Sequence, residues 1–301
     1  MSACINRQLA CCSNPHLLYS EKKLPALLCI QCKKLISSEE TTCPYCNAPQ
    51  QGRAVLQSRI FTDGAFALNC FVWANWLIYA CCIAIFPQSA LSFDNGILGF
   101  GAPDGKSLIL LGLTGGDMWR CGYWWTLLTA SFLHGSLLHI YFNMSWMKQL
   151  GFLTIAFLGP ARFVNIYMLT GAGGFLLSNV WSNSPTVGAS CSIFGFMGVL
   201  ITFSKRRGGQ FGQKLNRQIW SWTIIGLLFG FFIPMINNAG HIGGFVTGIM
   251  IGYLLPSREG VNETVVERWI AVALLLATVA GFGLSITTMW DSIQMGMIIC
   301  K

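Results

Sequence analysis

The sequence predicts an all-α polytopic membrane protein, and two features of its composition support that fold class. Of the 301 residues, 53% are hydrophobic and only 10% are charged, whereas about 25% of the residues in a soluble domain carry charge. Several uncharged runs also approach the ~20 residues that a helix needs to cross the hydrocarbon core. Because backbone groups in lipid must be hydrogen-bonded, runs of this length favour helices over barrel strands.

The uncharged runs define seven predicted spans. The first covers residues 66–86 and the second covers 123–147. The run 163–204 is too long for one helix and is divided by Ser-Asn-Ser-Pro-Thr, and the run 218–257 is divided at Asn237–Asn238. The seventh span covers 270–290. The loop 87–122 is rich in glycine, leucine and aromatic residues, so we expect it to pack onto the protein or into the membrane interface.

The distribution of lysine and arginine predicts the orientation of these spans. A cytoplasmic N-terminus puts on the inner side Arg53, Arg59, Arg162, Lys205, Arg206, Arg207, Lys214, Arg217, Arg258 and Arg268. The outer side then holds only Lys106, Arg120 and Lys301. Since cytoplasmic loops are enriched in basic residues, we expect a multi-pass protein of the plasma or inner membrane with a cytoplasmic N-terminus. The net charge of +8 is not gathered in a compact basic domain, so we expect no nucleic-acid partner.

Four cysteines near the N-terminus form a pattern typical of a structural metal site. Cys29 and Cys32 belong to Cys-Ile-Gln-Cys, and Cys43 and Cys46 belong to Cys-Pro-Tyr-Cys. Two such pairs present four thiolates to one tetrahedral Zn²⁺, and a reducing cytoplasm disfavours disulfides there. The segment resembles a zinc ribbon. It is too short to form a core of its own, so we expect zinc binding to supply its folding energy.

These patterns divide the chain into five predicted parts. Residues 1–24 form a disordered cysteine-containing tail, 25–50 the zinc-ribbon-like segment and 51–64 a linker. Residues 65–257 form a six-helix core, and 258–301 an additional transmembrane helix and the C-terminus. The predicted fold is therefore a six-helix membrane core with a seventh helix behind it and a small cytoplasmic zinc ribbon in front.

Three histidines, His134, His139 and His241, lie inside predicted spans, where ionisable side chains are costly and mark functional sites. His139 and Asn143 are four residues apart and share one face of a helix. Both donate hydrogen bonds, which is the chemistry that stabilises an oxyanion. His134 is five residues before His139 and need not point the same way. A role as a packing contact between helices is the alternative for each of these histidines.

The segment Gly-Ala-Ser-Cys-Ser at 188–192 contains two serines, of which Ser190 is the candidate nucleophile. Pro185 and Gly188 keep the preceding chain extended, which puts Ser190 in the first turn of the next helix. There, unpaired N–H groups and the helix dipole stabilise an alkoxide or an oxyanion. Ser192 lies further along the helix, where its hydroxyl can bond the backbone four residues earlier, so it is the structural candidate.

A serine nucleophile needs a base, and His241 is the candidate. It precedes Gly244, Gly248 and Gly252, whose spacing of four residues lets two helix backbones approach closely. If the partner is the helix that begins at Ser190, which carries glycines of its own, His241 meets Ser190. No Asp or Glu lies in a predicted span. The expected catalytic group is therefore a Ser–His dyad without a carboxylate, and we expect no cofactor for catalysis.

These motifs resemble those of the rhomboid family of intramembrane serine proteases. The likeness covers about residues 66–257 in the family's order: the run that holds His134, His139 and Asn143, then Gly-Ala-Ser-Cys, then Asn-Asn-Ala-Gly-His. Gly188 matches the first glycine of the family's serine motif. The seventh span makes the chain similar to a six-plus-one form of the family.

The resemblance implies a role for each of these residues. Ser190 matches the nucleophile and His241 matches the base. His139 and Asn143 match the oxyanion-stabilising pair, to which the start of the serine helix also contributes, and His134 matches the histidine that braces the long first loop. The implied substrates are single-pass membrane proteins, cleaved in or near their membrane segment.

Two positions depart from the family's pattern. Cys191 follows the serine where the family has glycine, which brings a larger side chain next to the oxyanion site. Thr126 follows Trp125 where the family has a Trp-Arg pair, and Arg120 is not at the matching position. The family's usual anchor of the first loop is therefore missing from the sequence.

Two other functions fit part of the pattern. A rhomboid-like protein without catalysis would bind transmembrane helices, but such proteins usually lack the serine or the histidine, and both are present. A transporter that relays protons through histidines is disfavoured, because the sequence has neither intramembrane Asp or Glu nor an obvious inverted repeat. An intramembrane serine protease that acts within the lipid bilayer is the predicted function.

Overall fold

The computed structural model describes residues 26–29, 32, 34–37, 40, 42–47, 59–88, 96–233, 236–257 and 261–294. The chain divides into two compact units, Met1–Arg53 and Ala54–Lys301. The predicted tail 1–24 lies outside the described residues, as does most of the predicted linker 51–64. The domain limits within these units stay a prediction.

The first unit contains a short antiparallel hairpin. Strand β1 (Ala26–Leu28) pairs with β2 (Leu35–Ser37). Ile36 of β2 is buried against Cys29 and Cys43. The small apolar core of this unit is therefore built around the cysteines themselves.

The second unit is a bundle of helices. Their bounds are α1 (Arg59–Thr62), α2 (Gly64–Ile85), α3 (Gly96–Gly99), α4 (Gly105–Leu110), α5 (Asp117–Arg120), α6 (Thr126–Thr129), α7 (Leu137–Leu158), α8 (Pro160–Trp181), α9 (Ser190–Arg207), α10 (Gly209–Phe232), α11 (Asn238–Leu254) and α12 (Val265–Gln294). Among the described helices, α2, α8 and most of α12 are long and apolar enough to cross a membrane by length and composition. The chain has the predicted membrane fold, in which α2 and α7–α11 form a six-helix core and α12 is the seventh long helix.

The loop between α2 and α7 is folded onto the bundle, as its composition predicts. It contains α3–α6 and a 3-10 turn at Ala130–Phe132. Leu110 of α4 and Met118 of α5 are buried in one cluster with Met289 of α12. The loop is therefore part of the packed protein and not a solvated linker.

The predicted second span, 123–147, is wrong, because the long helix in this region begins at Leu137 and continues to Leu158. Ser136 caps its N-terminus, since the serine side chain accepts a hydrogen bond from the His139 N–H at 3.2 Å. The helix ends at Gly159, whose φ of +99° favours glycine. Residues 123–133 form short helical turns of the folded loop, so their lack of charge does not mark a long membrane helix.

Three helices of the core, α8, α9 and α11, pack backbone against backbone. A Cβ atom on Gly244 of α11 would strike the backbone of Cys191 in α9. A Cβ atom on Gly174 of α8 would lie 2.6 Å from the carbonyl oxygen of Gly240 in α11. The glycines of α11 that are spaced four residues apart thus face α9, as the sequence predicts.

Helix α12 is fixed to the start of α8 by a cluster of charged groups. The Arg162 guanidinium binds both carboxylate oxygens of Glu267, at 2.7 and 3.0 Å. The Glu263 carboxylate accepts hydrogen bonds from the N–H groups of Ala161 and Arg162, at a helix N-terminus that favours an anion. Burial raises the pKa of Glu263 above its ordinary value. The seventh helix is therefore a packed part of the bundle.

Candidate active site and metal centre

Helix α9 begins at Ser190, which puts the candidate nucleophile in the first turn. The preceding Gly188 has a φ of +128°, a conformation that favours glycine, and its N–H donates to the Ala130 carbonyl at 2.9 Å. Among the described residues, no side chain caps this helix. The N–H groups of the first turn have no partner within the helix, so they can bind an anion.

His139 faces the bend that precedes Ser190. A Cβ atom on Gly188 would lie 2.8 Å from both Cε1 and Nε2 of His139, and 3.8 Å from the Ser190 Oγ. The imidazole and the hydroxyl therefore both lie beside this glycine. The Gly135 N–H donates to Nδ1 of His139 at 3.3 Å. Because a neutral imidazole that accepts at one nitrogen carries its proton on the other, the Nε2–H group is the one directed at the bend.

Asn143 lies one turn after His139 on α7 and is only 5% exposed. Its Nδ2 donates to the His139 carbonyl at 2.8 Å. An amide nitrogen carries two hydrogens, so one of them is left for another acceptor. The pair thus offers two side-chain N–H donors from one face of α7.

His241 lies on the side of α9 that carries Ser190. Its ring stacks on Phe194, with the centroids 4.3 Å apart and the planes 14° from parallel, and Phe194 is one helical turn after Ser190. The buried Nδ1 of His241 has no hydrogen-bond partner among the described residues. In this part of the chain the ring is therefore oriented by stacking and not by a carboxylate.

The Cys191 side chain points toward α8 and α11. A Cβ atom on Gly174 of α8 would lie 3.0 Å from the Cys191 Sγ, and one on Gly240 of α11 would lie 2.9 Å from it. The thiol thus fills a space between these two helices that the two glycines leave open. The cysteine in place of the family's glycine is accommodated by packing there.

Ser192 has a different partner from the one that its position predicts. It is fully buried, and its hydroxyl donates to the Tyr167 carbonyl of α8 at 2.6 Å, not to the backbone of its own helix. The bond to the backbone four residues earlier, which the sequence allows, is replaced by this one, because α8 packs closely enough to offer an acceptor. Ser192 joins two helices.

Comparison with known proteins adds a finding to this geometry. Residues 121–258, which hold all of these side chains, match the family model described as the Rhomboid domain. The chain contains a rhomboid domain.

Several rhomboid proteins are similar to this chain. Rhomboid protease GluP of Bacillus subtilis (strain 168) is 32% identical over 184 residues, which is 60% of this chain and 36% of the relative. Inactive RHOMBOID-like protein 8 of Arabidopsis thaliana is 29% identical over 126 residues, 41% of this chain and 36% of the relative. Rhomboid-like protease 1 of Toxoplasma gondii is 28% identical over 187 residues, 58% of this chain and 62% of the relative. The matches thus span between 36% and 62% of the length of these relatives.

Threonines hold the first loop in place. The family's arginine is missing from this loop. The buried Thr126 hydroxyl donates to the Tyr123 carbonyl at 2.6 Å and lies 3.0 Å from the Thr114 hydroxyl. The main chain of Thr114 pairs with that of Thr186 in an antiparallel bridge. These contacts join the loop to the segment that precedes Ser190.

His134 lies beside His139 in the rhomboid domain, with the ring centroids 5.1 Å apart. It is fully buried, and neither ring nitrogen makes a hydrogen bond of normal geometry within the described residues. The bracing role that the resemblance implies for it stays a prediction. Arg120 pairs with Asp117 on the surface of the loop.

Asn237 is a residue of this site that the sequence pattern marks only as a break between two spans. Its side chain accepts a hydrogen bond from the Gly240 N–H at 3.1 Å and so caps α11. Its amide donates to the hydroxyls of Ser178 at 2.5 Å and Thr186 at 2.8 Å. The start of the helix that carries His241 is thereby tied to α8 and to the segment before α9. An asparagine directly before a helix is an N-cap signal, which the sequence does contain.

The four cysteines of the first unit form a candidate metal centre. Their Sγ atoms all lie within 4.8 Å of one another, with Cys29 and Cys46 3.7 Å apart and Cys32 and Cys43 3.6 Å apart. A tetrahedral Zn²⁺ with Zn–S bonds of about 2.3 Å needs sulfur–sulfur distances of about 3.8 Å. The four sulfur atoms are therefore close enough together to hold one metal ion.

Proposed function

We propose that this chain is an intramembrane serine protease in which Ser190 is the nucleophile and His241 its base. The observation that carries the proposal is how three groups are arranged around the first turn of α9. Ser190 lies in the first turn, His139 lies against Gly188, and His241 stacks on Phe194. A serine beside an imidazole, with N–H donors around it, is the arrangement that nucleophilic acyl transfer requires.

In the proposed reaction, His241 takes the proton of the Ser190 hydroxyl while the oxygen bonds to the scissile carbonyl carbon. The negative charge moves to the carbonyl oxygen, where His139 Nε2–H, the second Asn143 amide hydrogen and the N–H groups at the start of α9 stabilise it. His241 then gives the proton to the leaving amine as the C–N bond breaks. Water attacks the acyl-enzyme with its proton passing to His241, and Ser190 regains a proton as the acid leaves.

The proposed substrates are single-pass transmembrane proteins, cleaved in or near their membrane segment. The surface of the bundle fits a location in lipid, where such substrates are found, because large apolar side chains such as Trp73, Phe152 and Phe229 are exposed on it. We place the chain in the plasma or inner membrane with a cytoplasmic N-terminus, which puts Ser190 toward the outer side.

A catalytically silent rhomboid-like protein that binds transmembrane helices is the second candidate. Two observations favour this candidate. The Asn143 side-chain amide uses one of its hydrogens in a bond to the main chain of its own helix, and one similar relative is named inactive. The presence of both Ser190 and His241 at one side of α9 favours the protease.

The test compares the two serines. Ser190→Ala should abolish cleavage of a panel of single-pass helices in micelles, and also labelling by a serine-reactive fluorophosphonate. Ser192→Ala is the matched control, because its hydroxyl contacts Tyr167, and it should keep most of both signals. Undiminished labelling of the Ser190→Ala protein would disprove the assignment. A folded wild-type protein that binds helices without cutting them would support the silent alternative.

For the first unit, we propose a structural Zn²⁺ held by Cys29, Cys32, Cys43 and Cys46. Four thiolates at tetrahedral spacing suit zinc, which prefers soft ligands. The metal would fold a segment whose strands are three residues long and that has little other core. It takes no part in the proposed proteolysis.

A further inference from the structure

The last turns of α12 lie beside Cys121 of the first loop, which takes part in a disulfide bond. Cys121 and Ile293 pack against the same apolar cluster, which also contains Met289. Helix α12 ends at Gln294, six residues before Cys300. We propose that Cys121 and Cys300 form a disulfide bond that fastens the C-terminal end of the seventh helix to the first loop.

The other cysteines offer Cys121 no comparable partner. Four of them form the metal cluster, and the free thiols in the described part of the second unit are Cys70, Cys81, Cys82 and Cys191. Besides Cys300, there remain Cys4, Cys11 and Cys12, which belong to the N-terminal unit.

The predicted orientation separates these candidates. Cys121 follows Arg120, and Cys300 precedes Lys301. Both basic residues belong to the predicted outer side, whereas the N-terminal unit is predicted to be cytoplasmic. Cys300 is thus the candidate that shares a compartment with Cys121, and in this respect the inference rests on the proposed orientation.

The distance along the chain allows the bond. Six residues span up to ~20 Å when extended, and a disulfide needs Cα atoms about 4.4–6.8 Å apart. The end of α12 is already held at the loop, since the Trp125 indole N–H donates to the Ser285 hydroxyl at 3.1 Å and Met289 is buried. The bond would join segments that non-covalent contacts have brought together.

The bond forms by thiol–disulfide exchange on the outer side of the membrane. The two thiols lose two protons and two electrons, and a protein disulfide of the thioredoxin-like oxidoreductase class accepts them and becomes a dithiol. An oxidising compartment then preserves the bond. The bond would hold α12 against the first loop. The same loop is joined to the segment before α9 by the bridge between Thr114 and Thr186.

The test cuts the chain between α11 and α12. A specific protease site is placed at residues 258–260 of the full chain, and free thiols are trapped with N-ethylmaleimide before cell lysis. After cutting, the fragment that carries α12 should stay attached on a denaturing gel without reductant and separate when reductant is added. Cys121→Ser and Cys300→Ser should each release it without reductant. Cys81→Ser, which removes an exposed free thiol of α2, should not.

Release of the fragment from the unreduced wild type would overturn the proposal, as would retention of the fragment in the Cys121→Ser protein. A bond from Cys121 to an N-terminal cysteine also predicts release, because both would then lie in the other fragment. The readout is a gel band and needs no substrate. A failure of the disulfide proposal is therefore distinct from a failure of the proposed protease function, which the Ser190→Ala comparison tests.

Discussion

Replacing Asn237 by alanine should destabilise the start of α11 and slow the proposed reaction. The side chain makes hydrogen bonds with the Gly240 N–H at 3.1 Å and with the Ser178 and Thr186 hydroxyls at 2.5 and 2.8 Å. Loss of an asparagine N-cap costs about 1 kcal/mol, and loss of each bond to a hydroxyl costs about 1 kcal/mol. We therefore expect the free energy of unfolding to fall by about 3 kcal/mol.

The neighbouring Asn238 provides a matched control. Its amide donates to the Leu227 carbonyl at 3.3 Å, a longer contact than those of Asn237. Asn238→Ala should therefore lower the free energy of unfolding by less than half as much. Asn237→Ser is a second control, because serine also caps helix N-termini, and it should recover about 1 kcal/mol of the loss.

The assay titrates each variant with SDS in mixed micelles and follows unfolding by circular dichroism. Cleavage of a transmembrane substrate is then measured where every variant is folded. The kcat of Asn237→Ala should fall, because the Asn237 side chain fixes the turn in which the His241 N–H donates to the Asn237 main-chain carbonyl, and the position of the imidazole depends on this turn. Equal unfolding free energies for Asn237→Ala and Asn238→Ala would refute the reasoning.

Three further variants test other parts of the molecule. Asn143→Ala should lower kcat by about 10²–10³-fold with little change in KM, since one oxyanion donor contributes about 3 kcal/mol; a raised KM at unchanged kcat would contradict that role. Glu263→Gln should flatten the dependence of stability on pH. Burial raises the pKa of Glu263, so the folded state holds this proton more tightly than the unfolded state does. The contribution of Glu263 to the free energy of unfolding should then be greatest below the ordinary glutamate pKa and be lost as pH rises through the raised value. Identical pH profiles for the two proteins would argue against this. The double variant Cys29→Ser, Cys32→Ser should reduce bound zinc to background by elemental analysis and leave cleavage in micelles close to wild type; loss of cleavage in a protein with a folded membrane core would show that the metal segment and the active site are coupled.

The sequence by itself determined the class of fold and the residue types available for chemistry. Hydropathy and run length are local properties, and an uncharged run of about 20 residues has few alternatives to a membrane helix. The spacing of the cysteine pairs is equally local, and it identified the four sulfur atoms that come together. The four-residue spacing of glycines identified the face of α11 that meets α9.

The tertiary structure alone decided where one helix begins and what each buried polar side chain contacts. The start of α7 at Leu137 depends on a folded loop that buries the uncharged residues before it, which composition does not distinguish from a span. Ser192 bonds to Tyr167 of another helix, and the Cys191 thiol packs toward α8 and α11. Such contacts depend on how each helix is rotated about its own axis, and that rotation is set by the packing of the whole bundle. For the same reason, the pairing of Arg162 with Glu267 across 105 residues is visible only in the folded chain.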